Sequence, residues 1–382
     1  MSERCPACGA AGVEVFYEVE RVPVHSCRLV ETREDALAFP TGELRLALCG
    51  ACGFVTNTAF DPSLQDYSVS YEETQAFSPR FVAFMRGLAE RWVEQYDLRG
   101  KRVLEIGSGK GEFLLALHEL GIGEGIGIDP GFVPERADKS PGLTWIRDLY
   151  SERYAELRAD AVVCRHTLEH IQPVGEFMRL VRSALAGGEP VLFELPDVLR
   201  ALREGAFWDL YYEHVSYFSP GSLARLFRST GFDVQELELD YDDQYILLGA
   251  RANGTGAASQ PLEEPADEVA RAVDEFRLAY ATQVERWSEE LAAAERPVIW
   301  GAGSKGVSFL TTLGAGAGIE LAVDVNPYKQ QRWLAGSGVR VVAPAALREH
   351  RPDLVVAMNP IYLEEIERDL ARLGVETRLV GV

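Results

Sequence analysis

Three of the six histidines in this 382-residue chain lie in two short segments that are rich in polar and aromatic residues. The first segment runs from Arg165 to His170, and the second runs from Trp208 to Ser219. Histidine titrates near neutral pH and suits the removal of a proton next to a carbonyl group, while a tyrosine hydroxyl can stabilise the resulting enolate oxygen. Glu213 could orient one of the histidines. A single histidine of this kind is usually structural, but their concentration in two segments favours a catalytic site.

A glycine-rich loop links a strand-like run to a helix-like run in the sequence VLEIGSGKGEFL. The glycines would let a ligand approach the backbone closely at the N-terminus of the helix. The loop residues concerned are Gly107, Ser108, Gly109 and Gly111. Glu105 lies two residues before the first glycine, where its carboxylate can order the loop or meet an amino group of the ligand.

The next strand-like run, GIGIDPG, contains Asp129 and Pro130 at its end, and Asp129 follows Gly111 by eighteen residues. An acidic residue at this position can accept hydrogen bonds from both hydroxyls of a ribose. The dinucleotide-binding fingerprint has no counterpart to Glu105. The pair of acids therefore predicts a site for the methyl donor S-adenosylmethionine, which the glycines alone would not.

Two later strand ends supply further candidates for the same site. Asp148 follows the third strand and could either contact the adenine amino group or cap a helix. Cys164 and His166 lie at the end of the fourth strand, ADAVVC. That end belongs to the carboxyl edge of the sheet, where ligands bind in such folds.

Two motifs of the form Cys-x-x-Cys-Gly occur near the N-terminus. Two thiolates three positions apart can bind one tetrahedral ion, and four thiolates leave no coordination position open for chemistry. The repeated motif therefore favours a structural zinc over a redox pair or disulfides. The predicted ligands are Cys5, Cys8, Cys49 and Cys52. A set in which Cys27 or His25 replaces one cysteine is a less symmetric alternative.

A second glycine loop, from Gly301 to Gly306, follows the strand-like run PVIW, and Asp324 lies eighteen residues beyond it. Read alone, this spacing predicts a dinucleotide site and therefore an NAD-dependent oxidoreductase. The last region, however, has only about 87 residues, which is small for a complete dinucleotide-binding fold. Lys305 in the loop and Asn359 after a later strand could instead contact a phosphate. A purely structural turn is the third possibility.

The motifs fall into three predicted domains: a zinc-binding module at 1–66, an S-adenosylmethionine-binding domain at 67–255 and a C-terminal domain at 256–382. The middle region alternates short strands with helices, which predicts a mostly parallel, doubly wound sheet closed by an antiparallel pair. A Gly, Ala, Ser and Pro-rich linker at 252–267 and a long amphipathic packing helix at about 267–295 come next. The remainder indicates four strands with helices between them.

The predicted fold class is therefore α/β. A class I methyltransferase Rossmann-like domain carries an N-terminal zinc-binding module and a smaller C-terminal Rossmann-like domain.

The chain has 38 basic and 59 acidic residues and a net charge of −21, which argues against non-specific binding to nucleic acid. No apolar run reaches the length of a membrane span, and the N-terminal residues lack the apolar segment of a secretion signal. We therefore expect a cytoplasmic protein that acts on a small molecule and has no nucleic-acid or membrane partner.

In the order of its motifs, the chain resembles the three-domain, zinc-containing sugar C-methyltransferases of deoxysugar biosynthesis. These enzymes methylate nucleotide-linked 4-keto sugars at the carbon next to the ketone. The resemblance rests on the two cysteine pairs and on the segments LEIGSGKG, LEHI, YYEHVSYFS and GAGSKG. It implies that His214 removes the α-proton and that His170 and Tyr211 lie near the ketone or enolate oxygen. It also implies a further active-site tyrosine, Tyr71 or, failing that, Tyr67.

The resemblance further implies that the C-terminal glycine loop holds the diphosphate of a nucleotide-linked substrate and not NAD. The implied contacts are Gly303, Ser304, Lys305 and Asn359. The chain departs from the family at Tyr212, where histidine is typical, in the segment 165–170, often Asn-Asn-Val-x-Ala-His, and at 242–245, commonly a glycine-rich turn. These departures lie near the expected acceptor site, so they concern the substrate and not the reaction class. Methylation of an oxygen, nitrogen or other carbon of a non-sugar metabolite is therefore the alternative.

Overall fold

The computed structural model describes residues 4–67, 71–136, 140–252 and 258–382, with only the backbone at 315 and 316. The predicted linker thus lies partly outside the described residues, at 253–257. None of the helices in the described ranges is long and apolar enough to cross a membrane.

The described strands form three sheets. In chain order they are β1 Val13–Pro23, β2 Thr41–Cys49, β3 Val55–Asn57, β4 Arg102–Ile106, β5 Glu124–Ile128, β6 Leu143–Ile146, β7 Ala161–Arg165, β8 Pro190–Pro196, β9 Ser216–Tyr217, β10 Asp233–Asp240, β11 Tyr245–Arg251, β12 Pro297–Trp300, β13 Leu321–Val323, β14 Arg340–Val342, β15 Leu354–Ala357 and β16 Arg378–Gly381.

Helices connect and cover these sheets. In chain order they are α1 Arg33–Leu37, α2 Pro79–Gln95, α3 Glu112–Glu119, α4 Val174–Ser183, α5 Val198–Glu204, α6 Pro220–Ser229, α7 Ala266–Ala292, α8 Ser304–Leu313, α9 Leu347–His350 and α10 Leu363–Leu373.

The central sheet has seven strands in the order β10-β11-β8-β7-β4-β5-β6. The five strands from β8 to β6 are parallel, and β11 and β10 add an antiparallel pair, as predicted. The inner strands β4, β7 and β8 are buried along nearly their whole length, as expected of a parallel sheet covered on both faces. Since the strands run parallel, the loops after β4, β5, β6 and β7 meet at one carboxyl edge. That edge is where the glycine loop and the first histidine segment lie.

The N-terminal sheet is antiparallel, with the order β1-β2-β3-β9. Its fourth strand comes from the middle of the chain: β9 pairs with β3 through Val55–Tyr217 and Thr56–Ser216. Thr56 also donates a hydrogen bond from its hydroxyl to the carbonyl of Val215, at 2.9 Å. The second histidine segment therefore contributes a strand, β9, to the N-terminal sheet.

The C-terminal sheet is parallel and has five strands in the order β14-β13-β12-β15-β16, where the sequence indicated four. The missed strand is β14, which has only three residues and pairs with β13 through its backbone. Three residues are too few to show the alternation of apolar and polar side chains that predicts a strand. β14 can therefore be recognised only from its pairing with β13 in the structure.

Helix α7 packs against both outer sheets, in agreement with the predicted packing role. Near its start, Phe276 lies edge-on to Phe16 and Tyr17, with ring centroids 6.0 and 5.4 Å apart. Near its end, Trp287 lies 5.4 Å from Phe309 in the C-terminal core. One helix therefore contributes side chains to the hydrophobic cores of both the N-terminal and the C-terminal parts of the chain.

Candidate active site

A cavity of about 1000 Å³ follows the carboxyl edge of the central sheet and extends to the C-terminal glycine loop. Most residues predicted for the site line it: Tyr71, Glu105, Gly107, Ser108, Gly109, Asp129, Pro130, Asp148, His166, His170, Tyr211, His214, Gly303, Ser304, Lys305 and Asn359. Gly111, Cys164 and Glu213 are not part of its lining. The predicted donor, acceptor and catalytic groups thus share one chamber.

The loop predicted to hold the donor connects β4 to α3. Gly107 and Gly111 have positive φ angles of 74° and 92°. A Cβ atom at Gly107 would overlap the hydroxyl of Thr167, and one at Gly111 would overlap the ring of Trp145. Both positions therefore require glycine, Gly107 at the cavity wall and Gly111 as the residue that starts the helix.

Two carboxylates flank this loop. Asp129 accepts hydrogen bonds from the backbone N–H groups of Gly109 (2.9 Å) and Gly131 (2.6 Å), so it fixes the loop. Glu105 is buried, and one of its oxygens has no hydrogen-bond partner within the described residues. Burial, opposed by Arg165, raises the pKa of Glu105 to about 8. A buried carboxylate with a free oxygen beside the loop suits a cationic amino group.

Two donor-site expectations need correction. Asp148 accepts hydrogen bonds from the hydroxyl of Tyr154 (2.6 Å) and the backbone of Leu149 (2.8 Å), while the short helix after it starts from Ser151. Asp148 is therefore not a helix cap, and its contact with adenine stays a prediction. Cys164 is 1% exposed inside β7 and does not line the cavity, so its thiol packs within the sheet and has no surface for a ligand.

His166 belongs to a buried ionic network at the same edge. Its Nε2 lies 2.7 Å from Glu194, whose carboxylate also accepts two hydrogen bonds from Arg165, at 2.6 and 3.1 Å. Burial disfavours the charged ring, but Glu194 and Glu169 outweigh it and raise the pKa of His166 to about 9. His166 has a positive φ of 46°, which is uncommon for a residue other than glycine and is frequent at functional sites. The structure thus makes His166 a cation held by two carboxylates on the cavity wall.

His170 and His214 lie side by side, with ring centroids 4.9 Å apart. Nδ1 of His170 donates a hydrogen bond to the carbonyl oxygen of Glu213 (3.1 Å) and lies 3.0 Å from the hydroxyl of Tyr67. The two histidine segments therefore meet in space, and Tyr67, the alternative to Tyr71, contacts one of the rings directly.

The ring of His214 lies against that of Tyr211, with centroids 4.2 Å apart and the two planes tilted by 51°. Across the part of the chain that the structure describes, neither the His214 ring nor the Tyr211 hydroxyl has a hydrogen-bond partner. Burial and the neighbouring His170 hold the pKa of His214 well below its ordinary value, and burial raises that of Tyr211. A neutral imidazole and a protonated phenol therefore face the cavity together, as a potential base and a potential hydrogen-bond donor.

Glu213 does not orient His214 or His170 through its carboxylate; it orients His25. That histidine lies 2.8 Å from Glu213, and Ser26 donates to the same carboxylate from its backbone (3.1 Å) and its hydroxyl (2.6 Å). Tyr71 donates a fourth hydrogen bond, at 3.2 Å. His25 and Ser26 were missed as site residues; the only sequence signal was that His25 is one of six histidines. Glu213 thus positions Tyr71 at the cavity.

Lys110 ties this tyrosine to the donor loop. Its buried ammonium donates hydrogen bonds to the carbonyls of Tyr71 (2.9 Å) and Gly131 (3.0 Å) and to the carboxylate of Glu73 (3.1 Å). Sequence reasoning passed over Lys110 because a lysine within a glycine loop suggests no partner until the fold is known. Movement of the donor loop must therefore move Tyr71.

The C-terminal glycine loop forms the far wall of the cavity. Lys305 pairs with Asp209, and the hydroxyl of Ser304 lies 2.7 Å from that of Ser26. Asn359 exchanges two hydrogen bonds with Gln244, at 3.1 and 2.8 Å. All the residues predicted to hold a phosphate are thus present on one wall, although the charge of Lys305 is already balanced by a carboxylate.

The four cysteines of the two N-terminal motifs converge. Their sulfur atoms all lie within 4.8 Å of one another, with Cys5 3.7 Å from Cys52 and Cys8 3.7 Å from Cys49. Four ligands about 2.3 Å from one tetrahedral ion are about 3.8 Å apart, so the sulfur set matches zinc. His25 bonds Glu213 and does not join this group, nor does the Cys27 thiol, 3.4 Å from the Ser304 hydroxyl, so the alternative ligand set is wrong.

Two protein-family models match regions of the chain that line the cavity. A family model described as a methyltransferase domain matches residues 76–237, which include the glycine loop, Asp129 and both histidine segments. A model described as the C-methyltransferase C-terminal domain matches residues 267–378. The chain is an S-adenosylmethionine-dependent methyltransferase. Because the second match includes the C-terminal glycine loop, that loop belongs to a methyltransferase and not to an NAD-dependent oxidoreductase.

The methyltransferase is 26% identical to the C-methyltransferase NovU of Streptomyces niveus over 361 residues, which cover 88% of this chain and 85% of that protein. Among solved structures, it is similar to an S-adenosylmethionine-dependent methyltransferase from Mesorhizobium loti (17% identity, 44% of this chain and 99% of that one, TM-score 0.33). It is also similar to 1,6-didemethyltoxoflavin-N1-methyltransferase from Burkholderia thailandensis (16% identity, 44% of this chain and 78% of that one, TM-score 0.35).

Proposed function

We propose that the enzyme methylates the carbon next to the ketone of a nucleotide-linked keto sugar through an enolate. The observation that carries this proposal is the pair His214 and Tyr211, a neutral base and a hydroxyl donor that face the cavity beside the donor loop. Methylation of oxygen or nitrogen needs no enolate and would leave such a pair without a use. The name of NovU and the match to a C-methyltransferase C-terminal domain agree with carbon as the acceptor.

The residues beside the donor loop fit S-adenosylmethionine. Gly107 and Gly109 allow the ligand to approach the backbone, Asp129 keeps lone pairs for ribose hydroxyls, and the free oxygen of Glu105 suits the amino group. When bound, S-adenosylmethionine supplies an electrophilic methyl group, which the enolate carbon attacks. The protein then contributes mainly proton transfer and positioning, because the sulfonium is already activated.

His214 takes the α-proton of the acceptor, and the electrons of the broken C–H bond form the enolate. The carbonyl electrons move to oxygen, where the Tyr211 hydroxyl donates a hydrogen bond. His170, when protonated, can donate a second from Nε2, since its Nδ1 is bound to the Glu213 carbonyl. Tyr71 and Glu213 act as positioning residues: the Glu213 carboxylate holds the Tyr71 hydroxyl, and the Glu213 carbonyl holds the His170 ring.

The C-terminal loop, through Gly303, Ser304 and Lys305, would hold the diphosphate of the acceptor together with Asn359, which follows the neighbouring strand β15. Backbone N–H groups at the start of α8 suit a phosphate, and the cavity is long enough to join them to the donor loop. The cysteine cluster would hold a structural zinc, and reduced thiolates of this kind agree with a cytoplasmic location.

Proton exchange without methyl donor tests the proposed chemistry. Incubated in deuterated water with nucleotide-linked keto sugars, the enzyme should exchange the α-hydrogen of an accepted substrate, as seen by mass spectrometry. Labelled donor should then place one methyl group on that carbon. Methyl transfer to an oxygen or nitrogen of a non-sugar metabolite, with no exchange on any sugar of the panel, would contradict the proposal and support the alternative acceptor class.

The pH dependence of donor binding should report on Glu105. Because its pKa is raised to about 8, the group is protonated below that pH and must lose a proton to bind an ammonium. Affinity should therefore rise with pH, by up to about tenfold per pH unit between pH 6 and 7.5. Calorimetry at several pH values would measure the affinity, and buffers of different ionisation enthalpy would give the number of protons released on binding.

The Glu105→Gln variant should bind more weakly and show a nearly flat profile over the same range. Glu365→Gln, which alters a cavity carboxylate bound to Ser78, is the matched control and should keep the slope. An equal slope in Glu105→Gln would show that another group releases the proton on binding.

A further inference from the structure

The wall that carries the candidate base contains a third group, Glu169, that the proposed reaction does not use. One ligand atom from each of Glu169, His170 and His214 lies within 4.8 Å of the other two. Glu169 comes from the short helical turn Leu168–His170 after β7, and His214 from the segment before β9. Two separate parts of the chain thus bring two imidazoles and a carboxylate together.

Each of the three side chains has a lone pair that is free to bind a metal ion. Nδ1 of His170 donates to the Glu213 carbonyl, so in the neutral ring Nε2 carries the lone pair. His214 has no hydrogen-bond partner among the residues described. Oε2 of Glu169 is buried and likewise without a partner, while its other oxygen lies 3.7 Å from His166. A buried carboxylate oxygen left unpaired is costly, and a cation would remove that cost.

The surroundings have the features of a metal-ligand shell. The carbonyl of Glu213 and the hydroxyl of Tyr67 hold the His170 ring by its other nitrogen, as hydrogen bonds from outer groups commonly do for metal-binding histidines. Since all three candidate ligands line the cavity, an ion can reach them and keep water in its remaining positions. Two imidazole nitrogens with one carboxylate oxygen favour first-row transition metals over magnesium or calcium.

We propose that Glu169, His170 and His214 form a second metal site, for a divalent transition-metal ion, and that the ion inhibits the enzyme. Bound metal occupies the lone pair with which His214 would take the α-proton, so metal and proton transfer exclude each other. The inhibition rests on the proposed function, whereas the binding site rests on the three side chains alone.

Cobalt(II) is the probe for the site. Added to enzyme whose cysteine cluster holds zinc, Co²⁺ should give weak visible ligand-field bands without the intense near-ultraviolet bands of cobalt bound to thiolates. Glu169→Gln should weaken this binding by at least about tenfold. Glu365→Gln, on the same cavity but away from the three groups, should bind as tightly as the unchanged protein. His214→Gln should also lose the bands, whereas His118→Gln, on α3, should keep them.

Activity measurements separate the two parts of the proposal. Co²⁺ should inhibit methyl transfer at the concentration that fills the visible bands, and gel filtration should restore activity; Glu169→Gln should need at least about ten times more metal. Equal binding by the unchanged protein and Glu169→Gln would overturn the metal site and leave the proposed function standing. Full binding with undiminished turnover would instead uphold the site, overturn the inhibition and exclude His214 as the base.

Discussion

Replacing His214 by glutamine should lower methyl transfer by about 10³-fold, within the 10²- to 10⁴-fold range of general bases. Burial holds the pKa of the imidazole well below its ordinary value, and the ring lines the cavity beside Tyr211, so it can take a proton from a carbon acid. Glutamine fills the same space and can hydrogen-bond, but it cannot take the proton. Steady-state rates with the best acceptor of the sugar panel would measure the loss.

The same variant should lose deuterium exchange at the α-carbon by a similar factor, because exchange requires the base and no methyl donor. Binding of S-adenosylmethionine, measured by calorimetry, should change by less than about threefold, since His214 is not among the groups assigned to the donor. His118→Gln is the matched control, because His118 lies in the last turn of α3 and does not line the cavity. Near-normal methyl transfer by His214→Gln would mean that the acceptor needs no strong base.

Features that depend on local chemistry could be predicted from the sequence. The donor loop, Asp129 and the cysteine pairs are short motifs in which neighbouring residues serve one ligand, so the spacing alone carries the information. The alternation of strands and helices likewise predicted the doubly wound central sheet, because buried parallel strands are apolar along their whole length. These features can be predicted without knowing which distant residues come into contact in the folded chain.

Features that depend on long-range pairing could not be predicted. Glu213 binds His25, 188 positions earlier, and Lys305 pairs with Asp209, 96 positions earlier. In the sequence, Glu213 seemed placed to serve the histidine next to it, but Glu213 lies in a turn and its carboxylate bonds His25 and Ser26 instead. Cys164 was assigned to a ligand because it ends the strand-like run ADAVVC, yet its side chain is 1% exposed and the cavity lining on this strand begins at Arg165. The residues that hold the catalytic groups in place are therefore visible only in the folded chain.

The cysteine cluster should matter for activity as well as for stability, because a continuous set of contacts joins it to the acceptor wall. Cys49 ends β2, and β3 and β9 follow across the sheet to Tyr217. The hydroxyl of Tyr217 accepts a hydrogen bond from the backbone N–H of Tyr211 (3.0 Å) and donates one to its carbonyl (2.8 Å). Arg225 further binds the carbonyl of Cys52, at 2.9 Å, and docks the cluster on α6. Loosening the cluster should therefore displace Tyr211.

Cys49→Ser should consequently lose the proposed zinc, melt about 10 °C lower and retain less than about one-tenth of the methyl-transfer rate, since structural zinc contributes directly to folding free energy. Elemental analysis, calorimetric melting and steady-state rates would measure the three effects. Cys27→Ser, a buried cysteine outside the cluster, is the matched control and should keep the metal and most of its stability. A Cys49→Ser protein that lost its zinc yet kept the melting temperature and rate of the unchanged enzyme would show that the sheet holds Tyr211 without the ion. The cluster would then be a binding site with no structural consequence for the cavity.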